Sequence, residues 1–300
     1  MIPTGYTNAL LILPFDHRGS FAKTLLGFKP PLTRAEKKTI SDMKEMVYKG
    51  FLKARSKRKD KASYGILVDE EYGSKILKDA NKRGIITACP VEKSGQKEFM
   101  FDFGNKFREH IRKVNPSIVK VLVRYNPTNN KESNKRQLKR LHTLSTFCHK
   151  EKYKLMFELL VPPSEKDLKK CKTAEKYDTT LRLDRTVKAI KEVQTKVHPD
   201  IWKLEGFAGP KWKKIIAQVK KQDTKEGIIV LGRGADKEKV KKWLIGADQY
   251  KQIVGFAVGR TVFFKPLEDY KNKKITKTQA IDRIAKRYGS FINLWKKYRK

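Results

Sequence analysis

The sequence predicts an α/β fold: a single (β/α)8 TIM barrel over residues 1–300, closed by a C-terminal helix. Eight short apolar or β-branched runs recur along the chain, and helical patterning follows each of them. Runs this apolar suit strands buried on both faces, as in a parallel sheet covered by helices. Their spacing is close to one βα unit, and 300 residues is an ordinary length for one such barrel.

In chain order the runs are Leu10–Phe15, Tyr64–Val68, Ile85–Cys89, Ile118–Val123, Leu155–Leu160, Ile201–Leu204, Ile228–Leu231 and Ile253–Val258. Helix starts are marked by Thr33-x-x-Glu36 and Thr276-x-x-Gln279, two capping boxes in which each side chain satisfies a backbone donor at the other end. Ser133 and Ser164 are the expected N-caps after the fourth and fifth runs, and Gly84 is an expected helix stop before the third. From Thr276 onward, Ile281, Ile284, Ala285, Tyr288, Leu294 and Trp295 share one face, which predicts an amphipathic helix packed on the barrel. No Pro/Gly/Ser-rich linker divides the chain. The basic stretch Ser56–Lys61 reads as a solvated helix end, so one domain is expected.

The apolar run Ala9–Phe15 is too short to span a bilayer, lacks a preceding basic region and runs directly into Asp16-His17-Arg18. No membrane association and a cytoplasmic location are expected. Cys89, Cys148 and Cys171 are odd in number and lack metal-ligand spacing, so they read as reduced thiols. The net charge of +38 raises the alternative of a non-catalytic, nucleic-acid-binding barrel. The basic pairs are, however, dispersed over helices, as at Lys37-Lys38, Lys139-Arg140, Lys213-Lys214 and Lys241-Lys242. A lysine-rich solvated surface accounts for them, and such a surface would also draw in anionic substrates.

In a barrel of this kind chemistry sits at the C-terminal ends of the strands, and alternate residues of each strand face inward. In the fourth run Val119, Val121 and Val123 suit the helix layer, which turns Lys120 into the barrel. In the sixth, Trp202 and Leu204 suit that layer, leaving Lys203 and Glu205 inside; in the fifth, Glu158 interrupts an apolar sequence. Charged groups enclosed this way need partners or a purpose. An internal salt-bridge network is one explanation, although buried ion pairs gain little over apolar packing. The other is imine chemistry: a lysine nucleophile needs its ammonium form destabilised, and a neighbouring carboxylate must move protons. Repulsion between Lys120 and Lys203 would supply the first requirement and Glu158 the second.

The first strand ends in Asp16-His17-Arg18-Gly19-Ser20, where Asp16 is placed to orient a substrate oxygen and Arg18 to pair with an anion. The seventh and eighth end in Gly232-Arg233-Gly234 and Gly259-Arg260-Thr261. Barrels commonly bind phosphate in these last two turns, where backbone N–H groups and a helix N-terminus converge. No metal is expected, because of the five histidines only His17 falls at a strand end.

The segments Asp16-His17-Arg18-Gly19-Ser20-Phe21, Val68-Asp69-Glu70-Glu71-Tyr72-Gly73 and Pro90-Val91-Glu92-Lys93-Ser94-Gly95-Gln96 resemble a known family. So do Trp202-Lys203-Leu204-Glu205-Gly206, Leu231-Gly232-Arg233-Gly234 and Phe256-Ala257-Val258-Gly259-Arg260-Thr261. The family is the barrel domain fused to some bacterial inositol-catabolism kinases, linked to 2-deoxy-5-keto-gluconate 6-phosphate aldolase activity. The chain is more distantly similar to the class I tagatose bisphosphate aldolases. By that likeness Asp16, Lys120, Glu158 and Lys203 correspond to the acidic residue, the assisting lysine, the acid/base glutamate and the Schiff-base lysine.

The resemblance implies a cofactor-free lyase acting on a phosphorylated small-molecule substrate; a homo-oligomer is expected. Lys203 would form the imine, Glu158 would act as acid and base, Lys120 would depress the pKa of Lys203 or stabilise an oxyanion, and Asp16 would position substrate. Arg18, Gly232, Arg233, Gly234, Gly259 and Arg260 would hold anionic groups, with Glu92, Lys93 and Glu205 as further candidates for substrate contacts or support. A sugar-phosphate isomerase or epimerase using the same residues is the alternative within enzyme chemistry.

Overall fold

The computed structural model describes residues 4–299. Its strands are β1 (Leu10–Pro14), β2 (Tyr64–Leu67), β3 (Ile86–Pro90), β4 (Ile118–Arg124), β5 (Lys154–Leu160), β6 (Ile201–Glu205), β7 (Gly227–Leu231) and β8 (Ile253–Ala257). They pair in parallel in sequence order, and β8 pairs with β1, so the sheet is a closed barrel. Each strand lies within about a residue of the run that predicted it, because a both-faces-buried strand is apolar almost to its last residue.

The surrounding helices are α1 (Arg34–Ser56), α2 (Glu70–Lys82), α3 (Phe107–Val114), α4 (Lys131–Lys150), α5 (Glu165–Cys171), α6 (Ala174–Thr180) and α7 (Arg182–Gln194). They continue with α8 (Trp212–Val219), α9 (Lys237–Ala247), α10 (Arg260–Lys271) and α11 (Lys277–Tyr298). Both predicted capping boxes are present, at the starts of α1 and α11. Ser164 caps α5, also with a reciprocal box through Asp167. Gly84 takes a left-handed conformation just past the end of α2.

The expectation for Ser133 needs correction. Asn130 caps α4, accepting from the Ser133 backbone N–H at 3.0 Å, so Ser133 is the third residue inside the helix. Asn and Ser are comparable caps, and here the earlier one starts the helix. The Ser133 hydroxyl instead donates to Glu98 at 3.0 Å.

Two apolar layers make the core. Val119, Val121, Val123, Trp202 and Leu204 pack outward among the helices. Leu10, Ile12, Ile118, Met156, Ile201 and Ile229 belong to a separate cluster that fills the lower barrel interior. The C-terminal helix α11 packs along α1, and its buried Tyr288 donates to the Leu11 carbonyl at 2.6 Å. Among the described residues no helix is long and apolar enough to cross a membrane.

Candidate active site

Above the apolar plug the inward-facing positions change character. The next inward residues on β4, β5 and β6 are Lys120, Glu158 and Lys203, and the same parity continues past β1 and β3 to Asp16 and Glu92. Glu158 is the register partner of Leu122 on β4 and of Lys203 on β6. Lys120 therefore sits one inward step below Glu158, and its four-carbon stem carries the ammonium upward to it.

The result is a compact ionic cluster. Lys120 Nζ lies 2.7 Å from Glu92 Oε1 and 2.9 Å from both Asp16 Oδ2 and Glu158 Oε2. Lys203 Nζ bonds the same Glu158 oxygen at 2.9 Å. The Lys120 side chain is 1% exposed and that of Lys203 5%. Burial alone would lower the pKa of Lys120, but Asp16, Glu158 and Glu92 outweigh it and raise it well above the ordinary value. Burial would likewise raise Asp16 and Glu158. The two lysines reverse this and hold both carboxyls below the usual range. Three carboxyl groups thus converge on an ammonium that is protonated at any physiological pH.

The cluster forms the floor of a cavity of about 360 Å³ at the C-terminal mouth of the barrel. Its walls include Asp16, His17 and Arg18 after β1, Glu92 to Phe99 after β3, Arg124 at the end of β4, and the turns after β7 and β8. His17 is driven down to about 4, chiefly by burial, so its ring is neutral near pH 7.

The two glycine turns meet beside this floor. Gly232, Arg233, Gly234, Gly259 and Arg260 all line the cavity, and α10 begins at Arg260. Of the first-turn N–H groups of α10, that of Val262 already donates to the Gly259 carbonyl at 2.7 Å, while Arg260 and Thr261, the first two residues of the helix, line the cavity. Gly234 has φ +71°, and a Cβ there would lie 2.6 Å from the Arg260 guanidinium. A Cβ on Gly259 would collide with the Pro14 carbonyl. Arg260 donates to the Arg233 carbonyl at 3.0 Å and makes no ion pair among the described residues.

Several expected roles change in the structure. Arg18 lines the cavity, but its guanidinium bonds Asp102 and the Glu92 carbonyl, so it ties the turn after β1 to the turn after β3. Arg233 is half-exposed and already paired, with Glu205 at 2.9 Å and Asp178 at 2.5 Å. Glu205 lies outside the cavity lining and serves as that partner, backed by Arg182, whose guanidinium also stacks on Phe207. Lys93 lines the cavity with an exposed side chain. The expected direct repulsion between Lys120 and Lys203 is replaced by a shared carboxylate, Glu158, that screens one from the other.

Asp102, Asp178, Arg182 and Arg124 were missed. Arg124 could have been found, since it shares the inward parity of Lys120. The other three lie outside the strands and have no sequence signal of their own. Among the described residues no group of three or more His, Cys, Asp or Glu side chains has the arrangement of a metal site.

Over residues 4–299 the chain matches the family model described as "Uncharacterized protein conserved in bacteria (DUF2090)". No curated protein matches it. Among solved structures it is similar to the crystal structure of Cgl0159 from Corynebacterium glutamicum (Brevibacterium flavum), with a TM-score of 0.55 and 14% identity. That match covers 94% of this chain and 86% of the other, and at this identity it speaks for the fold alone.

Proposed function

We propose that this chain, which belongs to that family of proteins conserved in bacteria, is a carbon–carbon lyase that works through an imine on Lys203. The observation that carries the reading is the single oxygen, Glu158 Oε2, held 2.9 Å from both Lys203 and Lys120 on the floor of the cavity. It places a proton acceptor on the would-be nucleophile and a fixed positive charge beside it, which is what imine chemistry requires.

In this reading Lys203 passes a proton to Glu158, its amine attacks the substrate ketone carbon, and a proton moves from that nitrogen to the oxygen to give the carbinolamine. Glu158 returns the proton to the carbinolamine hydroxyl, which leaves as water and gives the iminium. Glu158 then takes the proton of the hydroxyl β to that carbon. The C–C bond breaks with its electron pair flowing to the iminium nitrogen, and an aldehyde departs. The remaining enamine is protonated at carbon, and water hydrolyses the imine. Lys120 supplies the charge that holds Glu158 and Asp16 ionised, and Asp16 orients substrate.

The substrate class is a phosphorylated keto-sugar or keto-acid, with Arg260, the start of α10 and the flanking glycines receiving the phosphate. Within that class the sequence resemblance favours 2-deoxy-5-keto-gluconate 6-phosphate, cleaved to dihydroxyacetone phosphate and malonate semialdehyde. The test is borohydride reduction in the presence of dihydroxyacetone phosphate, read by peptide mass spectrometry. A reduced adduct on Lys203 that is lost in Lys203→Ala supports the reading. An adduct on Lys120 reverses the lysine roles, and no adduct with any of several keto-phosphates rejects the imine.

A further inference from the structure

The ionic cluster does not balance if every member is charged. Asp16, Glu92 and Glu158 carry three negative charges against the two positive charges of Lys120 and Lys203. Of the three carboxyls, Asp16 and Glu158 are the ones their lysine partners hold below the usual range. Glu92 differs in its bonding as well. Its Oε1 accepts from Lys120 at 2.7 Å, while its Oε2 is buried and meets no hydrogen-bond partner. The residue is 9% exposed, yet it lines the cavity.

Its backbone is fixed from several sides. Glu92 bridges to Phe101 across the loop after β3, Val91 N–H donates to the Lys120 carbonyl, and Arg18 holds the Glu92 carbonyl. The side chain is therefore positioned by structure that does not depend on a bond at Oε2. A buried carboxylate oxygen without a donor is costly, and the cost disappears if that oxygen carries a proton or meets a donor from a ligand. Burial pushes the Glu92 carboxyl up, against the pull of Lys120 and with repulsion from Asp16 adding to it.

We propose that Glu92 is a second catalytic acid of this site: a neutral carboxylic acid whose Oε2–H donates to the substrate ketone oxygen. This rests on the imine reading above and deepens it by dividing the proton transfers between two glutamates. As Lys203 nitrogen bonds to the ketone carbon, Glu92 gives its proton to the oxygen, forming the hydroxyl of the carbinolamine. The nitrogen, now carrying an extra proton, returns one to Glu92. Glu158 alone then handles loss of water and the C–C step. Two carboxyls whose surroundings drive their proton affinities apart commonly serve such separate roles.

The experiment compares wild type, Glu92→Gln and Glu92→Asp. Glutamine keeps the acceptor for Lys120 but has no acidic proton; aspartate keeps the acid and serves as the control for folding. Infrared spectroscopy at neutral pH should show the carbonyl band of a protonated carboxylic acid that Glu92→Gln removes. A second such band should remain, from the buried Glu226 just before β7, whose carboxyl burial lifts to about 8. With dihydroxyacetone phosphate, the rate of the borohydride-trapped adduct on Lys203 should fall about 100-fold in Glu92→Gln. Its decline with rising pH should vanish there and persist in Glu92→Asp. An unchanged infrared spectrum, or Glu92→Gln forming the adduct at the wild-type rate, overturns the proposal and leaves the imine reading intact. Absence of any adduct in wild type overturns the imine reading and this assignment with it.

Discussion

Lys120 and Lys203 bond to the same oxygen, Oε2 of Glu158, at 2.9 Å each. The consequence differs for the two lysines. Lys120 is also held by Asp16 and Glu92, so it is surrounded by carboxylates, whereas Glu158 is the only carboxylate paired with Lys203 among the described residues. In the proposed imine reading this asymmetry gives Lys120 the role of fixed charge and Lys203 that of nucleophile.

Lys120→Met tests that division. It keeps most of the stem and deletes the ammonium, leaving three buried carboxyls without their main partner. The expected cost is about 3–5 kcal/mol at neutral pH, since breaking a buried network strands its remaining charges. Asp16 and Glu158 are held low in the native protein, so the stability they contribute is present above the unfolded carboxyl range and lost as pH falls through their folded values. In the variant those carboxyls should protonate more readily. The gap in Tm between wild type and variant should therefore narrow on acidification from pH 7 to pH 4. A gap independent of pH would show that Lys120 stabilises by packing alone.

Much of this was legible beforehand. The valines at 119, 121 and 123 and the outward Trp202 and Leu204 give strand parity, and parity alone turns Lys120 and Lys203 inward. Asp16 was found because it directly follows an apolar strand. The Glu92 role was less visible, because its effect depends on a loop hairpin that brings Phe101 back beside it. Arg18 and Glu205 were placed correctly at strand ends but with the wrong partners: Asp102 and Arg182 are distant in sequence, and periodicity carries no information about loop contacts. The buried pair Lys44–Asp69 was also hidden, since Lys44 lies in a helix rich in exposed lysines and only its position distinguishes it.

Arg260 and Arg233 should respond differently to truncation. Among the described residues Arg260 has a carbonyl contact and no ion pair, while Arg233 is engaged by Glu205 and Asp178. A charge-assisted contact to phosphate is worth roughly 1.5–3 kcal/mol. Arg260→Ala should weaken competition by inorganic phosphate about 10- to 100-fold, and Arg233→Ala should have a smaller effect. Calorimetric titration with phosphate measures both. Equal losses would mean that the Glu205 and Asp178 pairing gives way when an anion arrives.

Gly234→Ala reaches the same site through the backbone. The left-handed φ of +71° strains any residue with a Cβ, and that Cβ would meet the Arg260 guanidinium at 2.6 Å. We expect a loss of about 1 kcal/mol in stability from the backbone and displacement of Arg260 from its place beside Arg233. Phosphate binding should fall nearly as far as in Arg260→Ala, and the two substitutions combined should fall little further, because they remove one contact between them. Fully additive losses would place the phosphate away from Arg260.

Glu226→Gln separates stability from the site altogether. Glu226 lies just before β7, is 1% exposed, and accepts from Trp202 Nε1 at 2.7 Å. Burial lifts its carboxyl to about 8, with repulsion from Asp223 and Asp200 adding to the shift. The folded protein therefore holds a proton that the unfolded chain releases near pH 4.5. Stability from this group is full below that value and declines as pH rises through about 8. Glutamine can still accept from Trp202 and has no proton to lose. Glu226→Gln should thus match wild type near pH 4 and exceed it by about 5 kcal/mol above pH 8, as followed by urea unfolding across pH. Parallel curves would mean that Glu226 is ionised in the folded state, with the buried charge satisfied by partners beyond Trp202.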